Sequence, residues 1–199
     1  MGNFITINWE EKSIQEYLKD KDTSRSPHYK EYLHIVEFIK EHRFKRILDL
    51  GTWTGISGYI MATSCDSIEK LISIDWGEWY AKNIKKIEFK NKNLYGMYLP
   101  EGASYIDSDF RICMKQELIN NDIEFAFIDD GHGLRAVIKQ LDICYESKTP
   151  YIAIHDVTKG RMPRKAVSMC IRKKQFKKIY EDIESSPNQG IIFLERVND

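Results

Sequence analysis

No stretch of this 199-residue chain approaches the ~20 consecutive apolar residues of a membrane-spanning helix, and Met1 to Glu10 lacks a basic segment followed by an apolar one. The expectation is a soluble, unexported, cytoplasmic protein. Net charge is missing too, since 30 Lys and Arg balance 30 Asp and Glu. Without a long-range field for polyanions, a nucleic-acid coat or a membrane-surface protein is disfavoured unless charge is segregated locally. Cysteine is sparse: Cys65, Cys113, Cys144 and Cys170 stand far apart, with no Cys-x-x-Cys pair. That argues against zinc or redox chemistry and for reduced thiols in a core. Internal repeats, low-complexity tracts and linkers are also absent from the sequence.

What is present suffices for one core. With 42% hydrophobic residues, the length fits a single domain, with residues 1–44 as an N-terminal helical segment or lid packing on a core of residues 45–199. Within residues 28–42, Tyr32, Ile35, Val36 and Ile39 recur at three- and four-residue spacings, an apolar stripe on a helix that should cover a sheet. Short apolar runs then alternate with helical segments. Strands are expected at Arg46–Leu50, Leu71–Asp75, Ser104–Asp107, Phe125–Asp129, Tyr151–Ile154, Lys178–Tyr180 and Gly190–Leu194. Helices are expected at Ile56–Thr63, Trp79–Glu88, Phe110–Ile119, Leu134–Tyr145 and Arg164–Lys174. Such alternation predicts an α/β, doubly wound sheet whose ligand sits outside the carboxyl ends of its strands.

That rule gives the acids a meaning. Asp49, Asp75, Asp129 and Asp156 all fall at or just past a predicted strand's carboxyl end, so one fold sets them along one rim. Between the first strand and its helix lies Asp49-Leu-Gly51-Thr52-Trp53-Thr-Gly55-Ile-Ser57-Gly58. It fails the dinucleotide pattern, because Trp53 stands where a pyrophosphate needs the second glycine and Ile56 where the third would be. Asp75, twenty residues after Gly55, is placed to accept hydrogen bonds from ribose hydroxyls. A ligand with ribose and no phosphate is S-adenosylmethionine.

Together with Ser108-Asp109-Phe110, Phe127-Ile-Asp129-Asp130-Gly131-His132 and Ile154-His155-Asp156, this series resembles the class I S-adenosylmethionine-dependent methyltransferases. Within them it is similar to the small O-methyltransferase-like group whose pattern runs IDGDH and later HD, over residues 28–195. The resemblance implies a Rossmann-like, mostly parallel seven-stranded sheet with helices on both faces and an antiparallel last strand. It also implies that Gly51 and Gly55 admit the methionine part and that Asp49 orients the loop and amino group. Asp75 would then hold the ribose, Trp76 pack on the adenine and Asp109 meet its amine, with Thr52, Trp53 and Asp129 completing the cofactor set. Trp53 and Trp76 read equally well as rim aromatics, and Asp109 as a helix cap. Two positions depart from the family. Asp130-Gly131 stands where the family has Gly before its second acid, and Lys148-Thr149-Pro150 replaces a Gly-Gly turn.

For methyl transfer the enzyme aligns an acceptor oxygen and removes its proton. Asp129, His132, His155 and Asp156 come from adjacent strand ends and can converge there. Either His132 or His155 serves as general base, with Asp129 beside them, or Asp129 and Asp156 hold Mg²⁺. Metal-free catalysis is preferred, because His155 stands where metal-dependent relatives often have an oxygen donor. His28, His34 and His42 lie on the first helix and read as solvated. From Val157 to Tyr180 there are nine basic residues and no acid. Part of this run reads as an ordinary solvated helix face; Lys159 to Lys165, however, directly follow Asp156, so that Arg161 and Arg164 can hold an anionic group on the acceptor.

The reading is an O-methyltransferase of a small, polar, sugar-like hydroxyl compound. RNA methylation is the alternative, supported by the basic run alone, and a non-catalytic binding protein on the same fold is a further one. A homo-oligomer is compatible with the sequence.

Overall fold

The computed structural model describes residues 3–5, 29–51, 56–76, 93–99, 108–183 and 189–198. In chain order its elements are β1 (Asn3–Ile5), α1 (Tyr29–His42), β2 (Arg46–Leu50), α2 (Ile56–Ser64), β3 (Lys70–Trp76), β4 (Asn93–Leu99) and α3 (Ser108–Asn120). They continue as β5 (Phe125–Ile128), α4 (Leu134–Glu146), β6 (Tyr151–His155), α5 (Met162–Arg172), β7 (Phe176–Asp182) and β8 (Ile191–Arg196). The strands form one sheet in the order β1-β4-β3-β2-β5-β6-β8-β7. From β4 to β6 all neighbours are parallel, and β8 runs antiparallel to both β6 and β7. This is the expected doubly wound sheet with an antiparallel last strand. The short β1 pairs antiparallel with β4 and extends the edge by one strand.

Both sheet faces are covered, and the sequence alternation sorts the side chains between them. Ile47, Phe125 and Phe127 pack with Tyr32, Ile35, Val36 and Ile39 of α1 and with Ile60 and Met61 of α2. Leu48, Leu50, Ala126 and Ile128 point the other way, into a core shared with Met114 and Leu118 of α3, Val137 and Leu141 of α4, and Ala166 and Val167 of α5. Cys65, Cys144 and Cys170 are free thiols, buried as expected.

Two expectations shift. Strand β4 occupies Asn93–Leu99, a segment not assigned from the sequence. Its pairing supplies the reason: all seven of its residues are in register with β3, and Gly96 to Tyr98 with β1, so its extended form depends on partners distant in sequence. The strand expected at Ser104–Asp107 and the helix at Trp79–Glu88 lie outside the described residues. Secondly, His34 is not simply solvated, since its Nε2 lies 2.9 Å from Asp182 Oδ2 and ties α1 to β7.

The chain leaves β2 towards β3 and β4, then returns to β5 on the other side of β2. The carboxyl ends of β2 and β5 therefore flank a topological switch point, where such sheets bind ligands.

Candidate active site at the carboxyl rim

The turn after β2 is built on a buried acid. Asp49, fully buried on β2, accepts hydrogen bonds from Ser57 Oγ of α2 at 2.9 and 2.8 Å and from Ser73 Oγ of β3 at 3.0 Å. Three elements are thereby held at the base of the loop. At Gly51 the chain turns with φ +88°, and its N–H donates to Ile74 O at 2.8 Å. A Cβ there would sit 2.3 Å from the Asp129 carbonyl oxygen and 2.7 Å from Asp130 Cβ, so only glycine fits. The loop's first turn is thus pressed against the end of β5. Thr52, Trp53 and Gly55 lie outside the described residues. Asp75 and Trp76 are the last two residues of β3, on the same rim, and Asp109 is the second residue of α3.

Beside that turn the strand ends of β5 and β6 bring together a second group. His155, the last residue of β6 and 4% exposed, has both ring nitrogens on carboxylates: Nδ1 lies 3.0 Å from Asp129 Oδ1 and Nε2 lies 2.7 Å from Glu31 Oε2. Burial alone would push its pKa down, but the Asp129 and Glu31 carboxylates outweigh that and hold it up at about 10. His155 is accordingly an imidazolium that donates from both nitrogens. Glu31, in the first turn of α1 and 1% exposed, also accepts the Gly190 N–H at 2.8 Å. One carboxylate therefore pins the start of α1 to β6 and to the entry of β8.

His132 is different. It is half-exposed, and its Nδ1 lies 2.9 Å from Asp156 Oδ2. The hydrogen bond to Asp156 raises its pKa above the usual value, against burial and with help from the charges of Asp156, Asp129 and Asp130. Asp156 is held low: burial works against the carboxylate, but the His132 hydrogen bond and the charges of His155, His132 and Arg161 prevail. Asp156 adopts φ +58°, a left-handed conformation that Asp tolerates better than most residues and that turns the chain sharply after β6.

The Asp130-Gly131 departure is accommodated by division of labour. Asp129 joins His155 and the rim cluster, while Asp130 lies 3.5 Å from Nε2 of the buried Gln140 on α4. Ligand atoms of Asp129, His132 and Asp156 all lie within 4.8 Å of one another. Arg161 immediately precedes α5 without capping it, and Arg164 lies in its first turn, where Arg164 donates to Val157 O at 3.2 Å and pairs with Glu181. Sequence reasoning missed Glu31 altogether, because a Glu in a helix's first turn normally serves the helix dipole alone. Ser73 was missed as well, its partner Asp49 lying on the neighbouring strand.

No protein-family model matches the chain, and no curated protein matches it in sequence. Solved structures do match. TomG from Streptomyces achromogenes, an O-methyltransferase involved in tomaymycin synthesis and solved with S-adenosylmethionine, superposes with a TM-score of 0.62 at 10% identity, covering 96% of this chain and 92% of that one. The O-methyltransferase from Bacillus cereus, solved with S-adenosylhomocysteine, gives 0.59 at 12% identity over 92% and 90% of the two chains. The Podospora anserina methyltransferase PaMTH1, also bound to S-adenosylhomocysteine, gives 0.58 at 9% identity over 92% and 86%. The chain shares the fold of these three methyltransferases. In this fold the Gly51 turn, the end of β3 and the Asp129 cluster share one rim, on either side of the switch point beside β2. No described helix is long and apolar enough to cross a membrane.

Proposed function

We propose that the protein is an S-adenosylmethionine-dependent methyltransferase that methylates a hydroxyl of a small, polar, sugar-like acceptor carrying an anionic group. The observation that carries this reading is the contact of Gly51 with Asp129, which sets a phosphate-free ligand turn directly against a cluster of two carboxylates and an exposed imidazole. In this reading Gly51 lets the loop turn close against β5, Asp49 orients the loop, and Asp75, next to last in β3, stands where a ribose would lie. Thr52, Trp53, Gly55, Trp76 and Asp109 complete the proposed cofactor set. When bound, S-adenosylmethionine supplies an electrophilic methyl group.

The chain's own part is to place the acceptor and take its proton. His132 is the base in this reading. Asp156 on Nδ1 fixes the tautomer that leaves Nε2 as acceptor, and stabilises the imidazolium that forms once the hydroxyl proton arrives. His155 is not the base in this reading, because both its ring nitrogens face carboxylates, those of Asp129 and Glu31. It serves instead to hold Asp129 in place. Arg161 is the proposed anion contact at the mouth of the site. Arg164, engaged with Val157 and Glu181, supports the turn.

A second reading is favoured by the closeness of Asp129, His132 and Asp156. These would hold a divalent cation, with Mg²⁺ taking the carboxylate oxygens, and the cation would lower the pKa of the acceptor hydroxyl. His132 cannot be ligand and base at once, so the readings are separable.

Isothermal titration with S-adenosylmethionine tests the proposal. One-to-one binding in the micromolar range is expected, and absence of binding at ~1 mM ligand would overturn it. Repeating the titration with MgCl₂ and with EDTA then separates the metal-held site from the metal-free one.

A further inference from the structure

The nine cations that follow Asp156 in sequence do not share one environment. Arg164 and Lys178 pair with Glu181, Lys177 with Glu195 at 2.9 Å, and Lys173 approaches Asp142 at 3.7 Å. Lys177 and Lys178 belong to β7, Lys173 follows the end of α5, and Arg164 stands in its first turn. A different subset lines a groove of about 400 Å³ beside α5: Lys159, Arg161, Lys165 and Arg172, with Arg164 in its wall and no acid among the described lining residues. Its volume is that of a small-molecule site. Lys159, Lys165 and Arg172 form no ion pair with any described acid.

The groove is close in the chain to the reacting end: Leu134 is two residues beyond His132, and Lys159 to Arg161 are three to five residues beyond Asp156. That makes it the candidate for the anionic end of an acceptor whose hydroxyl meets the His132–Asp156 pair. The groove mouth is also the start of α5, which no side chain caps, so its first-turn N–H groups add to the positive potential. From Lys165 to Arg172 the helix rises about 10 Å, at 1.5 Å per residue. Two long basic side chains that far apart can close on one compact anion with more than one charged group.

We infer that the groove lined by Lys159, Arg161, Lys165 and Arg172 is the acceptor's anchoring site and takes a diphosphate-type group, which places the acceptor among phosphorylated compounds of the nucleoside-diphosphate kind. This deepens the methyltransferase reading and rests on it for the word acceptor, while anion binding in the groove stands independently. Lysines grip the phosphoryl oxygens as point charges and arginines grip them bidentately.

The test uses inorganic pyrophosphate in calorimetry with the full chain. Saturable one-to-one binding is expected, weakened at least about tenfold in Lys165→Ala/Arg172→Ala, since removing a charge-assisted hydrogen bond weakens binding on that order. Arg172→Lys, which keeps the charge and loses the two-pronged grip, should fall between the parent and the alanine variant. S-adenosylmethionine affinity, measured in parallel, should be the same in all three proteins. If pyrophosphate does not bind at about 10 mM, or binds the double alanine variant as tightly as the parent, the inference is wrong. Should pyrophosphate bind as expected and S-adenosylmethionine not bind at all, the methyltransferase reading fails and the anion site stands. A single-stranded RNA oligonucleotide that binds more than about a hundredfold tighter than pyrophosphate, with a steep salt dependence, would overturn the small-acceptor assignment in favour of RNA.

Discussion

Replacing Glu31 by Ala removes the carboxylate that meets His155 Nε2 at 2.7 Å and the Gly190 N–H at 2.8 Å. Both partners are then buried without an acceptor on that side. Taking one member out of a buried ion pair costs about 3–5 kcal/mol, and an unsatisfied backbone N–H about 1–3, the two overlapping because a single side chain serves both. A loss of roughly 4 kcal/mol is expected, a large part of the ~5–15 kcal/mol that holds a domain together. Glu31→Gln should cost less, roughly 1–3 kcal/mol, because its amide oxygen can still accept from Gly190. Its amide N–H, however, opposes the Nε2 proton of His155.

The pH dependence follows from that opposition. The folded pKa of His155 is raised to about 10, well above its ordinary value of 6.5. Its contribution to stability is therefore full below about pH 6.5 and is lost as pH rises through about 10. The gap between parent and Glu31→Gln should be widest below neutrality and should narrow towards the alkaline end. Urea unfolding followed by circular dichroism at both ends of that range measures it. A gap under about 0.5 kcal/mol on the acid side, within the range of ordinary surface substitutions, would refute the claim that this carboxylate anchors α1.

Three further perturbations have definite outcomes. Gly51→Ala forces a Cβ to 2.3 Å from the Asp129 carbonyl oxygen at φ +88°, so S-adenosylmethionine binding should be lost and the melting temperature should fall by several degrees; unchanged calorimetry would remove the turn from the ligand site. Asp49→Asn keeps the shape but turns one acceptor oxygen into a donor facing Ser57 and Ser73, which should cost about 1–3 kcal/mol in urea unfolding and weaken cofactor binding; full retention of both would show that the buried acid does not orient the loop. His132 should titrate by NMR with a midpoint above 6.5, and Asp156→Asn should bring that midpoint down, since the hydrogen bond to Asp156 is the main cause of the rise; an unmoved midpoint would break the proposed pair.

The short apolar runs Arg46–Leu50 and Phe125–Ile128, and the apolar stripe of Tyr29–His42, needed no tertiary information, because a central parallel strand and a covering helix announce themselves by which positions must be apolar. The placement of Asp49, Asp129 and Asp156 near one rim followed from the same pattern. The glycine at position 51 could be read as a turn, but not why no other residue fits. That depends on β5 lying beside β2, although the two strands are about seventy residues apart in the chain.

The sequence by itself determined the layer order, the rim and the residue types available there. Only the tertiary structure decided what each group does. Two histidines of equal promise became a buried imidazolium and an exposed, Asp-supported ring, because Glu31 arrives from a helix 124 residues earlier and occupies the second nitrogen of His155. Likewise, cations of one run were divided into paired surface charges and a lined groove by which acids of α4, β7 and β8 came within reach. The physical reason is the same in both cases. A side chain's ordinary chemistry is local and legible, whereas its protonation and its availability depend on the neighbours that burial forces upon it.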